Sequence, residues 1–214
     1  MLATTPPPPP LICLDPGHAR RPNLSTERIG PGSSIRKIKD GGGTAGEASV
    51  VLAISKRTRR ALRDRGFRVA MTRTTLDFTL PQGGNIARAR FCNRRDAALM
   101  IRVHADGSTD PRRHGVSTLY PAWQRGWTDD VYRPSIRASK LVQRRVVAFT
   151  HARSLGRIAR SDLTGFNWAN VPDVLVETGF MTNPRERSRL RSRWYQRRIA
   201  RGLRQASVRF TGLD

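Results

Sequence analysis

The sequence predicts one α/β domain with a mainly parallel, twisted sheet and helices on both faces. Three observations predict this fold: short apolar runs bounded by turn residues, amphipathic stretches between those runs, and a length of 214 residues. A chain of that length suits a single hydrophobic core, and strands that alternate with helices are typical of a parallel sheet. No internal repeat is visible. We therefore divide the chain into a proline-rich linker at residues 1–10 and a folded domain at residues 11–214.

The first part of the chain follows this alternation. Five consecutive prolines end the segment 1–10, which indicates an extended linker. Residues 11–14 are continuously apolar and are followed by a turn sequence, which predicts a buried strand of a parallel sheet. Residues 19–43 show no periodicity and contain glycine clusters, so we expect a long mobile loop. Residues 44–65 place an apolar stripe opposite arginines and predict a helix, which Gly66 ends.

The rest of the chain repeats the pattern. Buried strands are predicted at residues 67–71, 98–103, 116–120 and 174–176. Helices are predicted at residues 86–97 and 135–154, and a helix or a pair of helices at residues 184–210.

Charge is the most unusual feature of the composition. The chain has 40 basic and 16 acidic residues, for a net charge of +24. A coding bias towards arginine and binding to an anionic partner explain this equally well; the partner classes are nucleic acid, acidic wall polymers and anionic lipid. The arginines are spread over every segment and no nucleic-acid-binding motif is visible, so we expect no specific nucleic acid partner. No apolar stretch approaches the length of a transmembrane segment.

The two cysteines do not form a disulfide framework by count alone. Cys13 lies in an apolar run and Cys92 in a predicted helix. We expect both to be small buried residues and not a redox pair. A bridge between them stays open, because the sequence gives no distance.

Ionisable residues follow three of the predicted strands. His18, His104 and Glu177 stand where these strands end, and the carboxyl ends of parallel strands meet at one edge of a sheet. Glu47 lies in the first turn of the first helix, on the stripe that faces the sheet. Two imidazoles and one carboxylate are a ligand set of catalytic zinc, which leaves Glu177 as a general base.

Each of these residues also has an ordinary structural explanation. Glu47 fits a capping box with Thr44, either histidine could be a hydrogen-bonded structural residue, and Glu177 could pair with an arginine. All four explanations would have to hold together at one sheet edge, so the pattern favours a metal hydrolase. Arg102 shares a strand face with His104; it could clamp an acidic residue, which we favour, or meet a substrate carboxylate. Arg160 is a further candidate for substrate contact.

Four short blocks resemble a known family. They are LDPGH at 14–18, GE at 46–47, HAD at 104–106 and VLVETGFMTN at 174–183. In this order they resemble the signature blocks of the zinc-dependent N-acetylmuramoyl-L-alanine amidases of the amidase-3 type, over about residues 11 to 210.

The resemblance implies one zinc ion per chain bound by His18, Glu47 and His104, with Glu177 as the catalytic acid and base. It also implies that residues 11–214 form the catalytic domain, and that the enzyme cuts the amide between N-acetylmuramic acid and the L-alanine of the peptidoglycan stem peptide. The expected location is the cell envelope, with an export signal that this chain does not contain and acidic wall polymers as a further partner.

Some choices stay open beside this resemblance. Asp15 and Asp106 could orient the zinc histidines, or serve only in turns and caps. A zinc peptidase acting on wall peptides, a catalytically silent wall-binding protein and a nucleic-acid-binding protein are the alternative functions.

Overall fold

A computed structural model of the chain describes residues 7–77, 80 and 83–213. Its strands are β1 (Leu11–Pro16), β2 (Asn23–Arg28), β3 (Arg36–Asp40), β4 (Arg68–Met71), β5 (Leu99–Asp106), β6 (Val116–Pro121), β7 (Ser154–Arg160) and β8 (Asp173–Phe180). Its helices are α1 (Glu47–Arg63), α2 (Asn85–Asn93), α3 (Tyr132–Thr150), α4 (Thr164–Asn167), α5 (Pro184–Arg191) and α6 (Arg193–Thr211).

Six strands form the central sheet in the order β4-β1-β5-β8-β6-β7. All neighbours in it are parallel except β6 and β8, which are antiparallel. The predicted α/β fold with a mainly parallel sheet is therefore confirmed. The carboxyl ends of β1, β5 and β8 lie side by side at one edge, so residues that end these strands become neighbours.

Strand β1 shows why the sheet is covered on both faces. Its six residues are all buried, as expected for an interior parallel strand. Ile12 and Leu14 belong to the main core, which α1, α3 and α6 cover. Leu11 and Cys13 point to the opposite face, where α2 contributes Cys92. This alternation of side chains places one hydrophobic layer on each side of the sheet.

The predicted loop at residues 19–43 is wrong in part, because it contains a β-hairpin. Strands β2 and β3 pair antiparallel as a separate two-stranded sheet. The apolar side chains of this hairpin, Leu24, Ile35 and Ile38, are exposed. The hairpin strands therefore lack the alternation of buried apolar and exposed polar residues from which strands are predicted.

The end of the third predicted helix is also corrected. Helix α3 ends at Thr150, followed by His151 in the left-handed region at φ 54°. The chain then forms β7, an edge strand that has no buried residue and in which glycine and arginine interrupt the apolar residues, so its sequence lacks the apolar run of a buried strand. The short helix α4 was not predicted, and the segment 184–210 forms the helix pair α5 and α6.

The cysteines form a disulfide, so the expectation that they are not a redox pair is wrong. Cys13 and Cys92 have Cα atoms 5.8 Å apart and are joined by a sulfur–sulfur bond. Both are fully buried, as expected. Cys13 points to the face of the sheet on which α2 packs, and a sequence separation of 79 residues hid this proximity.

The structure bears only in part on two further predictions, the proline-rich linker and the lack of a transmembrane segment. Of the predicted linker at 1–10, residues 1–6 lie outside the described residues, and residues 7–10 have no regular secondary structure; the domain boundary stays a prediction. Among the helices of the described residues, none combines the length and apolar character that crossing a membrane requires.

Candidate metal centre

Three strands and one helix bring the predicted ligands together. His104 lies in β5 directly beside Glu177 of β8, as their paired register shows. His18 follows β1 and is held in the left-handed region at φ 52°, which is uncommon for a non-glycine residue and concentrates at functional sites. Glu47 is the first residue of α1 and is buried. The predicted convergence of these four residues at one sheet edge is what the structure shows.

The three candidate ligands present their donor atoms to one point. Glu47 Oε1 lies 3.4 Å from His18 Nε2 and 3.2 Å from His104 Nδ1. One donor atom from each residue lies within 4.8 Å of the other two. The imidazole rings meet edge to face, with centroids 4.9 Å apart. Two imidazole nitrogens and one carboxylate oxygen at this spacing fit the ligand set of a catalytic zinc ion.

Two glycines make this close approach possible. A Cβ atom on Gly17 would lie 2.3 Å from the ring of His104. A Cβ atom on Gly43 would lie 2.5 Å from His18 Cδ2 and 2.6 Å from Glu47 Oε2, and Gly43 also has a positive φ of 65°. Any side chain at either position would displace a candidate ligand.

Asp40 fixes the orientation of His18, and the sequence interpretation missed it. Asp40 Oδ1 lies 2.5 Å from His18 Nδ1, and Asp40 also accepts hydrogen bonds from the backbone N–H groups of Ala19 and Gly42. With Nδ1 committed to Asp40, the ring presents Nε2 to Glu47. Burial lowers the pKa of His18, but the hydrogen bond to Asp40 and the charges of Glu47 and Asp40 outweigh it, so the pKa is raised.

Glu47 makes the capping contact considered for it and also faces both imidazoles. Its Oε2 accepts a hydrogen bond of 2.9 Å from the backbone N–H of Thr44, as in a capping box. Its Oε1 accepts one of 3.1 Å from the N–H of Ala105 and faces both imidazoles. Burial raises the pKa of Glu47, but the hydrogen bond and charge of His104, with His18 adding, hold it below its usual value. The carboxylate that lies between the two histidines therefore loses its proton more readily than an ordinary glutamate.

Glu177 stands beside these ligands with an uncommitted carboxyl group. Its Oε2 is buried and has no hydrogen-bond partner among the described residues. Burial raises the pKa of Glu177 well above its usual value, and the charges of Asp106 and Glu47 raise it further while Arg160 opposes them. Buried polar atoms without a partner are rare in folded proteins, and a carboxyl group with a raised pKa near candidate metal ligands suits proton transfer.

The four residues line a single open cavity of about 510 Å³. Its other lining side chains are polar: Thr44, Asp106, Ser108, Thr109 and Thr182. The site is therefore accessible to a polar substrate.

The prediction that Asp15 orients a zinc histidine is wrong. Its Oδ1 accepts hydrogen bonds from Thr72 and Arg88, and its Oδ2 accepts one from Arg102. Burial raises the pKa of Asp15, but these two arginines outweigh it and lower the pKa to about 2. Asp15 lies within β1, below the sheet edge, and Asp40 of the hairpin holds His18 instead.

Asp106 takes the second of the two roles considered for it, as a residue that stabilises a turn. Its Oδ1 accepts a hydrogen bond of 2.7 Å from the N–H of Gly107, and the residue lines the cavity. It acts on the site through its charge, which raises the pKa of Glu177.

Arg102 takes the structural alternative that we favoured. Its Nε donates to Asp173 and one terminal nitrogen donates to Asp15, both at 2.8 Å. The side chain is 4% exposed, so the prediction that it contacts substrate is wrong. It shares a face of β5 with His104 as expected, but it lies deeper in the fold.

Arg160 interacts electrostatically with Glu177 of the cavity but does not line the cavity itself. It binds Asp162 through two hydrogen bonds of 2.7 and 2.8 Å. Its charge lowers the pKa of Glu177, while Glu177 and Asp106 help to raise the pKa of Arg160. Its contact with substrate stays a prediction.

Comparison with known proteins identifies similar sequences. A family model described as N-acetylmuramoyl-L-alanine amidase (Amidase_3) matches residues 12–207. The amidase AmiC of Neisseria meningitidis is 26% identical over 231 residues, which cover 91% of this chain and 51% of AmiC. The amidase Rv3717 of Mycobacterium tuberculosis is 27% identical, with 90% of this chain and 83% of that protein covered. The chain thus spans about half the length of AmiC.

Solved structures show the same architecture. The amidase Ami1 of Mycobacterium smegmatis matches with a TM-score of 0.83 and 26% identity, covering 97% of this chain and 99% of Ami1. The apo form of Ami1 from Mycobacterium abscessus also matches with a TM-score of 0.83 and 26% identity, covering 95% of this chain and 99% of that one. The fold is therefore shared over nearly the full length of these domains.

Proposed function

The chain belongs to the N-acetylmuramoyl-L-alanine amidase family of the Amidase_3 type, and from that premise we propose that it is a zinc-dependent peptidoglycan hydrolase. The bond it cuts is the amide between N-acetylmuramic acid and the L-alanine of the stem peptide. One observation carries the proposal: His18, Glu47 and His104 present three donor atoms to one point, and Glu177 adjoins them with a free carboxyl oxygen.

The residues present fit a zinc ion. His18 Nε2, His104 Nδ1 and Glu47 Oε1 would hold it, because these are the atoms that face one another. When bound, zinc supplies Lewis acidity, which polarises the amide carbonyl and makes water a better nucleophile. Asp40 keeps the proton of His18 on Nδ1, so that Nε2 is free to bind the ion.

Glu177 handles the proton. Its raised pKa makes the carboxylate a stronger base than an ordinary glutamate, so it accepts the proton of the attacking water. The protonated carboxyl then donates to the nitrogen of the leaving amine, because an amine leaves far more easily than an amide anion. Its position beside His104 in the sheet keeps it next to the reacting bond.

A charged cluster next to the cavity suits the stem peptide. Arg160 and Lys37 both bind the carboxylate of Asp162, with Lys37 Nζ at 3.2 Å. Two cations share one carboxylate here, so one positive charge remains uncompensated within the cluster. The stem peptide carries carboxylates, and Arg160 is the residue that we assign to contact one of them.

Location and retention follow from the substrate. An enzyme that acts on peptidoglycan works outside the cytoplasmic membrane, so we place the protein in the cell envelope. The net charge of +24 would hold it to acidic wall polymers.

Digestion of purified peptidoglycan tests the proposed activity. The zinc-loaded protein is expected to release stem peptides with a free L-alanine amino terminus, identified by mass. Peptides cut internally would identify a zinc peptidase instead, and absence of any released fragment would indicate a catalytically silent wall-binding protein. Glu177→Gln is the matched control, because it keeps the shape of the side chain and removes its basicity.

A further inference from the structure

A second cavity lies beside the catalytic edge, between the β2–β3 hairpin and α2. It measures about 510 Å³. Five cationic side chains line it: Arg28, Arg36, Lys39, Arg90 and Arg94. Leu80, Ile86 and Ala87 also line it and supply apolar wall. We refer to this cavity as the hairpin groove.

One carboxylate lines the hairpin groove, and it is already committed. Glu27 is 5% exposed and caps α2. Its Oε1 accepts hydrogen bonds from the backbone N–H and the side-chain amide of Asn85, and its Oε2 accepts one from the N–H of Ile86. These three donors hold both oxygens, so Glu27 forms no ion pair with the groove cations.

The observed contacts of the groove cations are with neutral groups. In the part of the chain that the structure describes, none of the five forms an ion pair with a carboxylate. The bonds that Arg28 and Arg36 make are to the carbonyl of Ser33 and to the hydroxyl and carbonyl of Thr26, which are neutral acceptors. Arg90 lies over the ring of Trp168. Five positive charges thus share one concave site with a single carboxylate, Glu27, which forms an ion pair with none of them among the described residues.

We propose that the hairpin groove binds a phosphodiester-bearing cell-wall polymer. Guanidinium groups match phosphate oxygens with two parallel hydrogen bonds, and four of the five cations are arginines. A polymer with one charge per repeat can meet several cations along the groove at once. The inference rests on the proposed action at the wall, and it assigns to one site the retention that the net charge alone would leave spread over the surface.

The position of the groove favours a wall polymer over a lipid surface. The groove is concave, with a carboxylate and apolar wall beside its cations, a shape that surrounds a polymer strand better than it meets a flat membrane. It also adjoins the catalytic edge: Lys39 precedes Asp40, which holds His18, and Arg88 of α2 donates to the carbonyl of His18. A strand of wall polymer in the groove would therefore lie next to the peptidoglycan that carries it.

Paired variants test the groove against charge in general. Arg90→Gln with Arg94→Gln removes two groove cations that lie four residues apart, one in the last turn of α2 and one directly after the helix. Arg197→Gln with Arg201→Gln removes two exposed arginines at the same spacing on α6, where they line a separate cleft with Arg57 and Arg60. Binding of a purified poly(glycerol phosphate) fragment is measured for each, together with cleavage of polymer-free peptidoglycan.

The Arg90 and Arg94 pair is expected to weaken polymer binding by about 10- to 30-fold, because two cations that would contact the anionic polymer are lost together. The α6 pair is expected to change it by less than about threefold. Both variants should cleave polymer-free peptidoglycan like the parent protein, which serves as the folding control.

Other outcomes overturn one proposal or the other. Equal losses of polymer binding from both pairs of substitutions would show that charge spread over the surface is responsible, and would refute binding in the groove. The same conclusion would follow if the parent protein bound single-stranded DNA or phosphatidylglycerol vesicles through α2 but did not bind the polymer. Groove-dependent polymer binding by a protein that leaves peptidoglycan uncut would support the groove and refute the amidase proposal.

Discussion

Replacing Asp40 by asparagine tests how the hairpin controls the metal site. Asparagine keeps the size of the side chain, but its one carbonyl oxygen can replace only one of the two carboxylate oxygens that accept hydrogen bonds from Ala19 and Gly42. It removes the negative charge that lies 2.5 Å from His18 Nδ1. The side chain of Asp40 is 5% exposed, so water cannot replace what is lost.

The expected loss can be worked from that contact. A hydrogen bond to a charged group contributes about 1.5–3 kcal/mol, and loss of a group that orients a metal-binding histidine lowers metal affinity by about 10- to 100-fold. We therefore expect Asp40→Asn to weaken zinc binding at pH 8 by a factor within that range. The measurement is a competition titration against a chromophoric zinc chelator. Asp64→Asn, at the exposed end of α1, is the control and should bind zinc normally.

The same variant should also change how zinc affinity depends on pH. The pKa of His18 is raised by its hydrogen bond to Asp40, and zinc needs the unprotonated ring. In the parent protein, protons therefore compete with zinc as the pH falls through this raised pKa. Without Asp40 the pKa falls, so the competition should begin at a lower pH. Unchanged zinc affinity at pH 8 in a folded Asp40→Asn protein would refute the assigned role of Asp40.

Three further changes probe other parts of the account. Glu177→Gln should keep zinc and lower the turnover of peptidoglycan by at least about 100-fold; turnover near that of the parent would contradict its role in proton transfer. Reduction of the Cys13–Cys92 disulfide opens a link across 79 residues and should lower the free energy of unfolding in urea by about 4–5 kcal/mol; a variant with alanine at both positions should not respond to reductant. Arg102→Met leaves Asp15 and Asp173 buried without their shared cation and should destabilise the fold by about 3–5 kcal/mol, measured by thermal unfolding; an unchanged melting temperature would argue against the clamp.

The parts of the site that lie on regular elements could be predicted from sequence. His18, His104 and Glu177 each stand shortly after an apolar run in the sequence, and the carboxyl ends of parallel strands share one edge. Strands β5 and β8 continue past His104 and Glu177, to Asp106 and Phe180, without moving them from that edge. Glu47 could be placed because the apolar stripe of α1 fixes which way its first turn faces. These predictions needed only local patterns and one rule of topology.

The parts that depend on distant contacts could not be predicted. Asp40 meets His18 because the hairpin folds back over the sheet edge, and the hairpin strands are too polar to show a pattern. The one available signal was a carboxylate directly before the glycines at 41–43. Cys92 faces Cys13 only through packing of α2 on the sheet. The role of Asp15 was left open between orienting a zinc histidine and a turn or cap, and neither applies, because Asp15 lies within β1 and pairs with Arg88 and Arg102.

Anomalous scattering at the zinc edge, from crystals grown with zinc, would locate the metal among the candidate ligands. We expect one strong peak per chain at about 2.0–2.2 Å from His18 Nε2, His104 Nδ1 and Glu47 Oε1. Glu177 should lie beside that peak without replacing any of the three ligands. A peak elsewhere in the chain, or no peak from protein that cleaves peptidoglycan, would contradict this expectation.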